Sequence, residues 1–154
     1  MLPAAVLACA LDLLGRSSAA APIRFLDKPP LEASQHVEAF IERDPPVIYL
    51  ITSTETFRRL QNTRSVWSRR DACRKIASII VHEEWHLRHG RDEQGAYYAQ
   101  LTTLAALHAE PVTINKVRQA MMEAVARQKR LERRESMSAR ADGPTGPTIS
   151  QSTR

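Results

Sequence analysis

The chain has 154 residues, of which 43% are hydrophobic and 25% are charged. These proportions are typical of a globular domain and exclude a mostly disordered chain. The formal net charge is +5, but residues 127–154 carry seven Lys/Arg and three Asp/Glu, so +4 of it lies in the tail. The remainder is nearly neutral, which argues against a nucleic-acid-binding domain. We therefore expect one domain with tails.

Residues 1–21 have features of a secretory signal peptide. An apolar run over residues 2–14 is followed by Ser18-Ala19-Ala20, a small-residue cleavage context. No Lys or Arg precedes the run and Asp12 interrupts it, so an apolar N-terminal helix of a cytoplasmic protein is the alternative. The run is too short to span a bilayer. We expect export, periplasmic or secreted, with a mature N-terminus near residues 20–22.

The chain has two cysteines, Cys9 and Cys73. Cleavage near residue 21 would leave Cys73 alone, so that no internal disulfide could form. Cys73 lies nine residues before His82, about half a turn out of phase on a helix. We interpret it as a small buried hydrophobe and not as a metal ligand.

Four short elements are predicted in the first half of the domain. The run over residues 47–52 is the clearest strand, because β-branched and aromatic residues follow one another there. This strand either packs inside the core or forms a sheet edge that could bind an extended peptide. The four predictions are a strand at 23–26, a short helix capped by Ser34 with Val37, Phe40 and Ile41 inward, the strand at 47–52, and a helix beginning at Ser53 or Thr54 with Phe57 and Leu60 inward.

Three longer helices are predicted in the second half. The first spans residues 68–89, has apolar residues on two sides, and ends at Gly90. The second begins at Asp92 or Glu93 and runs to about residue 109, and Thr113 caps the third. Past residue 134 the periodicity ends, so we expect a domain over residues 22–135 and a disordered basic tail over 136–154.

The first long helix carries the pattern H-E-x-x-H at His82, Glu83 and His86. Residues four apart lie one turn above each other on a helix, so both imidazoles can bind one ion. Glu83 is offset by about 100°, where it can contact a water molecule beside the metal. Chance alone produces this pattern in on the order of one chain in a few hundred. Because the apolar run IASIIV precedes it, burial without a bound partner would be costly.

The stretch IASIIVHEEWH resembles the active-site helix of the zincins, the H-E-x-x-H zinc metallopeptidases. The resemblance implies an α+β, mostly helical, zincin-like fold with a central motif helix, a second ligand-bearing helix and a small strand element. It also implies Zn²⁺ bound by His82 and His86, Glu83 as general base, and a peptide or protein substrate. The E-x-x-A at Glu93 resembles branches whose third ligand is a glutamate on the next helix.

The third ligand has three candidates: Glu93, Asp92 and His89. Gly90 should end the motif helix and allow the chain to turn back into a second helix. Asp92 suits the N-cap, where its carboxylate would be occupied by backbone N–H groups. Glu93 lies one residue further and is long enough to reach across, so we favour it. Asp92 matches the spacing of the metzincin branch, but that branch has Gly where this chain has His89.

The remaining polar candidates are Tyr97, Tyr98 and His108. Either tyrosine could donate a hydrogen bond to a developing oxyanion, or it could pack in the core. The leading functional hypothesis is zinc-dependent peptide-bond hydrolysis. The alternative is a non-catalytic metal-binding or interaction protein with a vestigial site. Nucleic-acid binding by the basic tail is a third, weaker hypothesis.

Overall fold

The computed structural model describes residues 3–31 and 37–141 and confirms an α+β, mostly helical architecture. This part of the chain forms a three-stranded sheet and five helices, the third of which lies at the centre of the fold. The elements are α1 (Pro3–Leu13), β1 (Ile23–Leu26), β2 (Ala39–Arg43), β3 (Pro46–Ile51), α2 (Glu55–Asn62), α3 (Val66–His89), α4 (Glu93–Ala106) and α5 (Pro111–Ala141). Among these elements no helix combines the length and the apolar character needed to cross a membrane.

The sheet has the order β1-β3-β2, so β3 is its central strand. β3 pairs in parallel with β1 and antiparallel with β2. Residues 47–51 are all buried, as expected for a strand with neighbours on both sides and helices against it. The predicted strand is therefore a core strand, and β1 and β2 lie at the edges of the sheet.

The short helix predicted from Ser34 is wrong over residues 39–43, which form β2 instead. Ser34 itself lies outside the described residues. The reason is tertiary, because β2 pairs along its length with the buried strand β3. Phe40 stacks on its cross-strand partner Tyr49 with ring centroids 4.9 Å apart, and Tyr49 donates a hydrogen bond to Glu42. Cross-strand pairs of this kind outweigh weak local helix preference.

The hydrophobic core lies along α3, which contacts α1, α2 and α4 and both β2 and β3. Ile76, Ala77, Ile79 and Ile80 are at most 4% exposed, which confirms a helix that is apolar on more than one side. α2 contributes Phe57 and Leu60 to the same cluster, as predicted. α3 is thus held on several sides, and the polar residues of its last turns occupy a rigid position.

The N-terminal helix α1 packs directly on α3, with Val6 and Ala10 fully buried. Cys9 on α1 forms a disulfide with Cys73 on α3. Cys73 is buried, as expected. Its disulfide bond to Cys9 was not expected from the sequence. The disulfide and cleavage near residues 20–22 exclude each other, because cleavage would remove Cys9. Export and the position of the mature N-terminus stay predictions.

We expect a chain that begins at Pro22 to melt well below the full chain. Truncation removes the fully buried side chains of Val6 and Ala10 and the disulfide, and loss of a native disulfide alone typically costs about 2–5 kcal/mol. Thermal unfolding of the full chain with its disulfide formed, and of the truncated chain, measures the difference. Equal melting temperatures would show that α1 is dispensable, and the intact mass from the native host would then decide whether it is removed.

The last helix, α5, extends past the predicted end of ordered structure at residue 135 and reaches Ala141. Residues 135–141 contain neither Gly nor Pro, so nothing in this stretch stops a helix already under way. Residues 131–137 are exposed throughout, so no buried apolar stripe marks this part of the helix in the sequence. The remainder of the predicted tail, residues 142–154, lies outside the described part of the chain.

Candidate metal centre

His82 and His86 face the same side of α3, one turn apart. Their Nε2 atoms are 3.1 Å from each other, and the rings meet edge to face with centroids 4.8 Å apart. Each residue is only 9% exposed. Two buried imidazole nitrogens that point at one another are the arrangement that a shared metal ion requires.

Glu93 lies opposite this pair, at the first residue of α4. α3 ends at Gly90, whose φ of 76° lies in the region that favours glycine, and Asp92 caps α4 by accepting a hydrogen bond from the Gly95 N–H. This turn brings Glu93 Oε1 to 3.6 Å from His86 Nε2 and Glu93 Oε2 to 3.9 Å from His82 Nε2. The three donor atoms all lie within 4.8 Å of one another. The group could therefore hold one metal ion.

Trp85 fixes the turn that positions Glu93. The indole Nε1–H donates a 3.2 Å hydrogen bond to Asp92 Oδ2, and a Cβ added at Gly95 would lie 2.6 Å from that nitrogen. Residue 95 must therefore lack a side chain for the indole to lie against the first turn of α4. Asp92 is occupied by these two contacts, as predicted for an N-cap, and does not join the histidines.

The electrostatics of the pair suit metal binding. Burial, and then the neighbouring His86, lower the pKa of His82 to about 3. His82 is therefore neutral at physiological pH, with a lone pair available to an ion. On His86, Nδ1 lies 2.7 Å from the Gly90 carbonyl oxygen, which can accept its hydrogen and leave Nε2 free to bind.

Glu83 is 6% exposed and lines the groove that contains the two histidines. Burial, and then the charge of Glu93, raise the pKa of Glu83 to about 8. Without a metal the carboxyl therefore keeps its proton near neutral pH. A divalent cation bound nearby would favour the ionised form.

The raised pKa of Glu83 predicts a pH-dependent difference between the metal-free protein and the Glu83→Gln variant. The folded state holds the proton up to about pH 8, whereas the glutamate of the unfolded chain loses it near pH 4.5, so ionisation opposes folding as the pH rises between these values. Glutamine does not ionise, so the melting temperature of the variant should rise relative to that of the wild type across this range. Melting curves of both proteins in chelator at about pH 5 and pH 8.5 test this, and a constant difference would contradict it.

The three donors and Glu83 line a groove of about 830 Å³. One wall is β2 and the residues just before it, and the other is the face of α5 from Lys116 to Leu131. α3 and α4 form the floor between them. The volume of the groove lies within the range typical of ligand sites. Because the three donors line this groove, a ligand in it could reach them.

Of the other polar candidates, all among the described residues, only Tyr97 makes a ring contact with one of the two histidines. The Tyr97 ring meets the His82 ring edge on, with centroids 4.6 Å apart, while Tyr98 is 57% exposed. Burial, and then Glu93, raise the pKa of Tyr97 to about 12, so its O–H remains a donor. His89 is exposed and packs on Trp85, outside the donor group. His108 follows α4 with a positive φ of 54°.

Sequence reasoning missed Glu84, the second glutamate of the motif. This residue is 3% exposed and accepts hydrogen bonds from Arg16 at 3.0 and 2.9 Å and from the Ala20 N–H at 2.8 Å. It therefore ties the segment after α1 to the motif helix. Its position on a buried helix was a signal that it needed partners, but no pattern in the sequence identified Arg16 as one of them.

Searches against models of protein families, against curated proteins and against solved structures found no significant match. The resemblance to the zincins therefore rests on the H-E-x-x-H motif of this sequence alone.

Proposed function

We propose that the chain is a zinc-dependent metallopeptidase whose metal is held by His82, His86 and Glu93. The observation that carries the proposal is the convergence of these three donors, within 4.8 Å of one another, on an open groove. Two neutral imidazoles and one carboxylate are a ligand set of catalytic zinc sites in peptidases. Imidazole nitrogens favour zinc over calcium or magnesium, which take oxygen ligands.

The buried carboxyl of Glu83 supplies the acid–base chemistry in this proposal. Zinc, when bound, would act as a Lewis acid on the scissile carbonyl and lower the pKa of water. Glu83 accepts a proton from the attacking water as its oxygen bonds to the carbonyl carbon. Glu83 then passes this proton to the amide nitrogen as the C–N bond breaks. The products are a carboxylic acid and an amine, and Glu83 returns to its ionised form.

β2 suits the binding of an extended peptide. It is an edge strand of the sheet, and Ala39, Phe40 and Ile41 line the groove beside the donors. A peptide laid along such an edge gains backbone hydrogen bonds without a sequence requirement. The strand predicted from the sequence over residues 47–52, for which this role was considered, corresponds to β3, which is central and has a neighbouring strand on each side.

The proposal is tested by hydrolysis of a mixture of unstructured peptides of varied sequence. We expect new amino termini to accumulate with the purified protein, to stop after dialysis against a chelator, and to return with one equivalent of zinc. Activity that survives metal removal, or a zinc-loaded protein that cleaves no peptide in the mixture, would contradict it.

Tyr97→Phe should lower kcat by on the order of 10²-fold, because the phenol lies beside His82 and keeps its proton to donate to the carbonyl oxygen. Zinc content should not change, since the tyrosine is not among the donors. Tyr98→Phe, at an exposed position on the same helix, serves as the control. Unchanged kcat in Tyr97→Phe would remove the tyrosine from the mechanism.

A further inference from the structure

Two polar side chains, Ser78 and Gln100, are buried next to the metal centre, and the proposed mechanism does not use them. Ser78 is 0% and Gln100 is 4% exposed. Ser78 lies four residues before His82 on α3, and Gln100 lies seven residues after Glu93 on α4. Buried polar groups of this kind are costly unless they are hydrogen-bonded, so their partners indicate what they do.

The hydrogen bonds of Ser78 fix the orientation of the Gln100 amide. The Ser78 hydroxyl donates its single proton to the Lys75 carbonyl oxygen at 2.7 Å. Towards Gln100 it can therefore only accept, and Gln100 Nε2 donates to it at 3.4 Å, a long hydrogen bond. The group of Gln100 that faces Ser78 is thus the NH₂, and its amide oxygen is left for another donor.

His82 needs a hydrogen-bond acceptor of this kind. Its Nδ1 atom is buried and has no partner that meets hydrogen-bond geometry among the described residues. His86, by contrast, has its Nδ1 at 2.7 Å from the Gly90 carbonyl oxygen. Metal-binding histidines almost always donate the second ring N–H to an acceptor, which sets the tautomer and the ring orientation. The Gln100 side chain lies near enough to His82 to raise the pKa of the imidazole, against the larger effect of burial.

We propose that Gln100 is a positioning residue for His82: its amide oxygen accepts the His82 Nδ1–H, while its amide nitrogen is anchored on Ser78. When an ion is bound, these hydrogen bonds, from the Lys75 carbonyl through Ser78 and Gln100 to the imidazole, hold the ring so that the unprotonated Nε2 of His82 is directed at the ion. The two histidines are then oriented in two ways, His86 by the backbone at the end of α3 and His82 by a side chain of α4. This role rests on the metal binding in the proposed function, but it does not depend on peptide hydrolysis.

The test compares Gln100→Leu, which keeps the volume and loses both hydrogen bonds, with Gln100→Glu, which keeps an acceptor. Gln94→Leu, an exposed glutamine on the same helix, is the matched control. We expect Gln100→Leu to bind zinc about 10- to 100-fold more weakly in competition with a chelating indicator. Gln100→Glu should recover most of the affinity, and Gln94→Leu should match the wild type. The Co²⁺-substituted protein should show an altered ligand-field spectrum in Gln100→Leu alone.

A second measurement detects the hydrogen bond between His82 and Gln100 directly and does not depend on peptide hydrolysis. Proton NMR of the zinc-loaded protein detects the His82 Nδ1–H, and we expect a downfield signal that exchanges slowly with solvent in the wild type and its loss in Gln100→Leu. If the zinc-loaded wild type cleaves no peptide but shows this change of signal, the proposed peptidase function fails and the positioning role stands. Equal zinc affinity and an unchanged His82 Nδ1–H signal in Gln100→Leu would overturn the positioning role, and a wild type that binds no zinc would overturn both proposals.

Discussion

Glu83→Gln should abolish peptide hydrolysis while leaving the metal in place. A general base or acid contributes roughly 10²–10⁴-fold to the rate, and here one carboxyl performs both proton transfers. The amide of glutamine has nearly the shape of the carboxyl, and Glu83 is not among the three donors. Steady-state hydrolysis and zinc content, measured on the same preparation, give the two results together.

Glu123→Gln is the control for a change of charge alone, because Glu123 lines the same groove at an exposed position on α5. It should keep its activity within a few-fold of the wild type. If Glu83→Gln retained wild-type turnover, Glu83 would not be the base. Loss of zinc from Glu83→Gln would show instead that this residue is a ligand.

Glu93→Ala should lose most of its zinc, because two histidines alone hold the ion weakly and catalytic sites usually have three protein ligands. The structure places only Glu93, of the three candidates from the sequence, with its carboxylate facing both histidines. Zinc per chain after gel filtration in metal-free buffer measures the loss, and folding is checked by circular dichroism on the same sample.

Asp92→Ala and His89→Ala are the matched comparisons. Asp92→Ala removes the N-cap of α4, which typically costs about 1 kcal/mol, so its melting temperature should fall while its zinc remains. His89→Ala removes a contact with Trp85 and should also keep its zinc. An empty site in Asp92→Ala together with a full site in Glu93→Ala would reverse the assignment.

The parts of the fold that could be predicted are those with a strong local pattern. The apolar spacing around Ile76 and Ile80 predicted α3, and the run of β-branched and aromatic residues over 47–52 predicted β3. β2 was missed because its conformation depends on pairing with β3 and not on its own residues. α1 was recognised as apolar, but its place against α3 depends on contacts far along the chain.

The residues of the candidate site also divide into those that a local pattern predicts and those that it does not. His82, His86 and Glu93 could be identified because helical spacing and the stop at Gly90 act within a dozen residues. Glu84 and Gln100 escaped notice because their partners lie 68 and 22 residues away. Long-range hydrogen bonds of this kind leave no periodic signal in the sequence, whereas ligand spacing on one helix does.

Elemental analysis of the protein purified without added metal decides whether the three donors hold zinc. We expect one zinc per chain in the wild type and almost none in the double variant His82→Ala/His86→Ala, purified in parallel. A folded wild-type protein that contains no metal, and that takes up none when incubated with a stoichiometric amount of zinc, would contradict the proposed metal centre.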